Sequence, residues 1–409
     1  MPKKRSRYTQ RIVMTLLCLF FVMSKFCHAQ VHDVLCSDGD GNFEAEFHTG
    51  VKLHVGAARN RGLATRTCEA TFTWNQQTLV VMTGVSQLDV DAFGVDLNLG
   101  VPVAAFQVKR TDRECCTEYQ IYSLEKPPRL LLSIAGGSFF SAADTDLDGR
   151  IEIWTDDAAA TVGFENLAMS ELDFAPPIVL RFADGKLLDV SSEFQPSFDR
   201  KIAEVRKQLD SADLRDFKSS DGKLSPLAQL SVDRLHHLRG VKVKVLEIVC
   251  SYLYSGREQQ AWPTLVDMWP PADTDRIRAA ILSARARGLG SRVNGVSTVR
   301  PGSSRKHATI FDSVSESGGS KREVVPPAPM LLRYPPPVEI SDQHLADSEV
   351  LLDLVIDAAG KVRSAELAGK ARSGNADLIN AALGWKFIPA FKAGRAVASR
   401  LRLAVSLKR

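Results

Sequence analysis

Val350-Leu351-Leu352-Asp353-Leu354-Val355-Ile356-Asp357-Ala358-Ala359-Gly360-Lys361-Val362-Arg363 decides how the end of this chain folds. Val350 to Asp357 is a strand-length run rich in β-branched and apolar residues. Ala358-Ala359-Gly360 turns it, and Lys361-Val362-Arg363 starts the return strand. Downstream, Asn375 is placed to cap a helix through Leu378, Ile379, Ala382 and Leu383 to Trp385. Lys386 to Ala390 follows, then a turn at Lys392-Ala393-Gly394 and a last strand from Val397 to Leu407. The predicted order is β-β-α-β, an α+β unit over residues 333–409. Gly360 and Gly394 allow the hairpin geometry, and Trp385 and Phe387 are candidates for its core.

The same residues carry a resemblance. Tyr334-Pro335 stands before the first strand; Asp357, Gly360 and Val362 form an Asp-x-x-Gly-x-Val sequence at its end. Ala381, Ala382, Trp385, Phe387, Pro389, Ala390, Gly394 and Val397 follow in order. This register resembles the C-terminal domain of TonB-family energy-transducing proteins. The resemblance implies that the last strand receives an extended segment of an outer-membrane receptor, or of another envelope protein, by strand addition, in the service of transmembrane transport. Carried onto this chain, the partner-binding edge is Arg400, Leu401, Arg402, Leu403 and Val405, where apolar and basic residues alternate. An ordinary edge strand guarded by charge has the same pattern. From Gly360 onward there are eleven Lys and Arg against Glu366 and Asp377. That charge suits an anionic partner, a membrane surface included, or simply a solvated face.

Working towards the N-terminus, residues 289–332 hold Ser/Gly clusters and then Pro326, Pro327 and Pro329, and read as a disordered linker. Residues 193–288 read as helical: Ile202, Val205 and Leu209 share a face, as do Leu227, Leu230, Leu235 and Leu238. Val241 to Tyr254 is an apolar stretch of helix length. A further helix is expected over 273–287, capped by Asp273 or Thr274 and closed by Gly288. Residues 31–192 read as a β-rich domain of short runs between turns. Its clearest hairpin joins Ile178–Phe182 to Lys186–Val190 across Asp184-Gly185. The fold class is therefore multidomain: β-rich, then helical, then α+β.

Residues 1–30 combine a basic start with the apolar run Ile12 to Met23 and small residues at Cys27 and Ala29. This is the layout of a secretory signal peptide, and the run is shorter than the ~20 residues a membrane span needs. Export to the periplasm is expected; retention as an inner-membrane anchor would make the chain a TonB-type energy transducer instead. The net charge is +4, and residues 1–30 carry six basic residues and no acidic one, so a chain without them is two charges negative. Overall charge lends nothing to a nucleic-acid role.

Asp144-Thr145-Asp146-Leu147-Asp148-Gly149-Arg150-Ile151-Glu152 places acidic oxygens at positions 1, 3, 5 and 9, with glycine at 6. Such spacing can wrap a hard cation such as calcium. An EF-hand would have Glu at position 12, where Thr155 stands, and helices on either side. Here the flanks are strand-like, and the loop resembles those of FG-GAP or VCBS β-propeller blades. The predicted ligands are Asp144, Asp146, Asp148 and Glu152, with the Arg150 carbonyl as a further donor. One such loop implies an incomplete propeller-like array at most.

Cys36, Cys68, Cys115, Cys116 and Cys250 lie beyond residue 30, an odd number with no C-x-x-C spacing. Adjacent Cys115 and Cys116 are poorly placed to pair with each other. No nucleophile, zinc-protease or phosphate-loop motif occurs, so a non-enzymatic protein is expected. A structural or assembly role in the envelope is the non-transport alternative.

Overall fold

Short strands separated by turns, among the described residues between 35 and 137, produce two stacked sheets. The computed structural model describes residues 35–37, 41–58, 66–110, 115–166, 172, 174–224, 231–297, 309–312, 324–332, 349–368 and 376–406. The expected signal peptide, Tyr334-Pro335, Asn375, Leu227 and Leu230 lie outside these residues.

Strands β1 (Leu35–Ser37), β2 (Phe43–Glu46), β3 (Lys52–Ala57), β4 (Cys68–Trp74), β5 (Gln77–Val85), β6 (Gln87–Val95), β7 (Val103–Lys109), β8 (Thr117–Ser123) and β9 (Arg129–Gly137) form two antiparallel sheets, ordered β2-β3-β4-β5 and β1-β6-β7-β8-β9. In β7, Ala104, Phe106 and Val108 face a core shared with Phe43, Leu53 and Phe72. Val103 and Ala105 face the opposite way, into a second core. The five-stranded sheet is thus covered on both sides, as its nearly unbroken apolar strands require. A disulfide between Cys36 and Cys68 ties β1 of one sheet to β4 of the other.

The second core also holds a four-stranded sheet, β10 (Phe140–Ala143), β11 (Glu152–Asp156), β12 (Pro177–Ala183) and β13 (Lys186–Asp189). The expected β12–β13 hairpin is present, with Asp184 and Gly185 both at positive φ. The same core takes in α1 (Ala158–Thr161), α2 (Gln195–Lys207), α3 (Ser211–Lys218), α4 (Val232–Tyr254), α5 (Glu258–Met268) and α6 (Thr274–Arg287). Helix α4 absorbs two expected segments into one helix, capped by the Ser231 hydroxyl accepting from the Arg234 amide. Phe194, Phe198 and Ile202 share one core with Ile178 and Leu180. The helical stretch after residue 192 is therefore not a separate domain: its apolar faces are buried on the sheet. Asp273 precedes α6 as expected, but its carboxylate accepts from Arg276 and the Trp269 indole instead of capping.

The last layer contains β14 (Phe311–Asp312), β15 (Val324–Val325), β16 (Ala328–Leu331), β17 (Glu349–Ile356), β18 (Val362–Leu367), α7 (Ala376–Ala382), β19 (Lys386–Ile388), β20 (Ala390–Lys392), β21 (Arg395–Val397) and β22 (Ser399–Ser406). The β-β-α-β order is present as β17-β18-α7-β22, with the sheet ordered β14-β22-β17-β18. Trp385 and Phe387 are buried with Leu352, Leu354 and Ile356. Ala393 and Gly394, both at positive φ, turn β20 into β21.

The expected linker needs correction. Within 289–332, β14 pairs with β22, β15 with β20 and β16 with β19, and Met330 and Leu331 are buried. Val324-Val325, just before Pro326, and Ala328 to Leu331, which includes Pro329, supply two of these strands. Cys115 and Cys116 are joined to each other, contrary to expectation, and among the described residues Cys250 is the buried free thiol. Neither a closed barrel nor a propeller is formed among the described residues; the blade-array expectation gives way to stacked sheets.

Candidate functional site

The acidic loop connects β10 to β11, so its flanks are strands, as its sequence implied. Leu147 and Gly149 take positive φ and curl the chain around Asp144. Asp144 is fully buried, and its two oxygens accept from the Asp148 amide at 2.9 Å and the Gly149 amide at 3.0 Å. Carboxylate oxygens of Asp144, Asp146 and Asp148 lie within 4.8 Å of one another. Each carboxylate oxygen has two lone pairs, so an oxygen already bonded to an amide can still face a cation. Three hard oxygen donors at this spacing could hold a metal cation.

Glu152 is not part of that cluster. It is fully buried beneath the loop, accepts from the Thr145 amide at 3.3 Å, and lies 3.5 Å from the Arg181 guanidinium. Arg181 in turn donates to Glu193 at 2.8 Å. Glu152 thus fastens the loop to β12. The Arg150 side chain folds back onto Asp148, its Nε donating at 2.8 Å, and the Trp154 indole donates to Thr145 at 2.7 Å.

Burial pushes the Asp144 carboxyl up to about 7, with Asp357 and Asp148 adding repulsion against two opposing amide bonds. Burial, and then the charge of Asp146, push Glu152 up to about 8. Asp357, buried against the loop, rises to about 6 chiefly through burial. A carboxyl whose folded pKa exceeds its unfolded value favours folding at low pH and loses that contribution as pH rises through the folded value. With divalent ions chelated, the melting temperature is therefore expected to fall from about pH 4 to about pH 8, most steeply between about pH 4.5 and pH 6, where all three groups keep their proton only in the folded chain, and to level off above that range. Adding calcium should restore stability at the alkaline end, because a cation stabilises the ionised forms. Scanning calorimetry at fixed ionic strength checks this; a melting temperature that climbs over the same range contradicts it.

The loop does not stand alone. The Asp144 amide donates to Asp357 Oδ2 at 3.1 Å, and Arg363 reaches the Thr145 carbonyl at 3.4 Å. Asp357 also accepts from the amides of Ala359 and Lys361 at 2.9 Å, which shapes the β17–β18 turn. Beside this contact, Lys361 donates to Asp91 at 2.6 Å and Lys386 to Asp89 at 2.8 Å. Asp91 further accepts from the Tyr119 hydroxyl and the Ala142 amide, both at 2.7 Å. Phe391 packs edge-on to Phe47. The C-terminal layer is thus held to the β-rich layers by buried polar contacts around the acidic loop.

Comparisons with known protein families, curated proteins and solved structures find no match. No helix among the described residues is long and apolar enough to cross a membrane. The site is therefore interpreted from its own chemistry.

The expected partner edge lies on β22. Leu401 and Leu403 are half-buried and Val405 is buried, all against the core of their own layer. Arg400 and Arg402 point outward, and Arg402 binds Asp353 across the strand pair at 2.7 and 2.9 Å. These side chains serve their own sheet, so what β22 can offer a partner is main chain. On that side β14 already pairs with it in parallel, Phe311 opposite Ser399 and Asp312 opposite Arg400. The residues that sequence reading missed are Asp91, Tyr119, Arg181, Lys361 and Arg363. Each acts through a partner distant in sequence. Asp357 was legible as part of a turn but not as a ligand for the loop amide.

Proposed function

We propose that this chain is an exported envelope protein whose C-terminal sheet binds an extended segment of an outer-membrane protein by strand addition, linked to transport across that membrane. In this reading the Asp144–Asp148 loop holds a calcium ion and stiffens the junction on which the C-terminal layer rests. The observation that carries the proposal is that β14 pairs with β22 only at Ser399 and Arg400, while β17 pairs with it from Ser399 to Ser406, so among the described residues no strand lies along the second side of β22 beyond Arg400. Support also comes from the β-β-α-β order and from the basic character of this layer, which would steer an acidic segment towards it.

The test is photocrosslinking in whole cells. A crosslinking amino acid replaces the exposed Ala404 on β22 or, in a second strain, the exposed Glu366 on β18, with the rest of the full chain unchanged. The expected result is an adduct with an outer-membrane protein from position 404 and none from 366. Equal labelling at both positions, or no envelope adduct at either, rejects the proposal.

A further inference from the structure

A second strand-accepting edge lies far from the C-terminal layer, along β9. This strand forms the border of its five-stranded sheet. A cleft of about 340 Å³ runs beside it, lined by five consecutive residues, Leu131 to Ala135. Alternate residues of a strand point to opposite faces, so five in succession can line one cleft only if it opens on the main-chain edge. Phe182, Leu187, Leu289 and Val293 give the cleft an apolar wall, and Arg292 stands on its rim.

Arg292 Nη1 donates to the Ala135 carbonyl at 2.7 Å, so the Ala135 main chain faces the cleft. The β8–β9 register is regular from Ala135 to Ser133. In an antiparallel pair, outward-facing residues recur at every second position, so the Ser133 amide and carbonyl also face the cleft. At Leu131 the register slips by one residue, and Leu130 beside it is 49% exposed.

We infer that β9 binds a partner polypeptide in extended conformation, with apolar side chains at alternate positions and a carboxylate at the end nearest Arg292. Main chain is the natural complement of a strand edge, and the apolar wall would take every second side chain. The carboxylate follows from charge: Arg292 spends one N–H on Ala135, and a guanidinium has five. This inference is independent of β22 and of the proposed transport role.

The test uses the full chain and three pentapeptides that alternate Val, Leu or Phe with Thr, each with a free C-terminal carboxylate. At least one peptide should bind saturably by fluorescence anisotropy and slow amide exchange across Leu131–Ala135. Methylation of alternate peptide nitrogens should abolish binding. Arg292→Ala should weaken it about ten- to a hundredfold, as expected for loss of a charge-assisted bond, while the melting temperature reports that the variant is folded. A second variant, Leu131→Lys, should also weaken binding by placing a charge on the cleft wall. No saturable binding by any peptide, or protection confined to Leu401–Ser406, overturns the inference. The second outcome would leave the C-terminal proposal intact, and an adduct lost at position 404 would leave this one intact.

Discussion

Lys361→Met should destabilise the protein by about 3–5 kcal/mol, the usual penalty for stranding a buried charge by removing its partner. Asp91 is only 2% exposed. Burial alone would raise its pKa, but Lys361 and Lys386 outweigh that and hold the carboxyl below its ordinary value. Tyr119 and Ala142 each give Asp91 one neutral hydrogen bond, and neither replaces a full positive charge. Urea denaturation read by tryptophan fluorescence measures the loss. The pair Asp91→Asn with Lys361→Met should recover much of it, since no uncompensated charge remains. A single variant within about 1 kcal/mol of the parent would show that Asp91 is not the ionised hub described above.

Gly360→Ala should be still more damaging to the C-terminal layer. Gly360 has φ +82°, a region an L side chain enters at about 1–2 kcal/mol. Space is the larger obstacle: an added Cβ would lie 1.9 Å from the Phe387 carbonyl oxygen. That oxygen belongs to backbone, and the Phe387 amide donates to Gly360 O at 2.8 Å, so neither side can yield without breaking the β18–β19 junction. A loss above about 4 kcal/mol is expected. Amide exchange should show Leu352, Leu354 and Ile356 losing protection while the Phe72–Phe106 core keeps its own. Equal loss in both places would mean that the layers unfold as one unit. Gly394→Ala is the control, since its added Cβ would meet nothing within 4 Å and only the φ of +77° opposes it.

Local features were legible in the sequence because local chemistry determines them. Asp184-Gly185 and Ala393-Gly394 announce turns, and both are turns. Asp144 to Glu152, between two apolar runs, announces a strand-flanked acidic loop, and Asp144, Asp146 and Asp148 converge there. Glu152 had the right spacing for a ligand, yet its neighbour proved to be Arg181, 29 positions away, which no spacing rule contains. The contacts of Asp144 with Asp357 and of Lys361 with Asp91 span 213 and 270 positions. Such pairings leave no periodic trace, because each residue looks locally like an ordinary surface charge. The stretch before the C-terminal layer was misjudged for another reason: its average composition is that of a flexible segment, while the few residues that pair, among them Val324-Val325 and Ala328, Pro329 and Leu331, are too few to alter the average. The border between β-rich and helical regions was real as a change of periodicity but not as a boundary of packing.

Strands β14, β15 and β16 come from upstream of residue 333 yet complete sheets formed by β19, β20 and β22. Anyone excising the tail for a fusion or a transplant should therefore cut before residue 309. A scissile point at 333 would discard the three strands that pair with β19, β20 and β22 and uncover main chain on all three, and the resulting fragment would stick to whatever it met. Promiscuous capture by such a stump would say nothing about the whole protein's choice of companion.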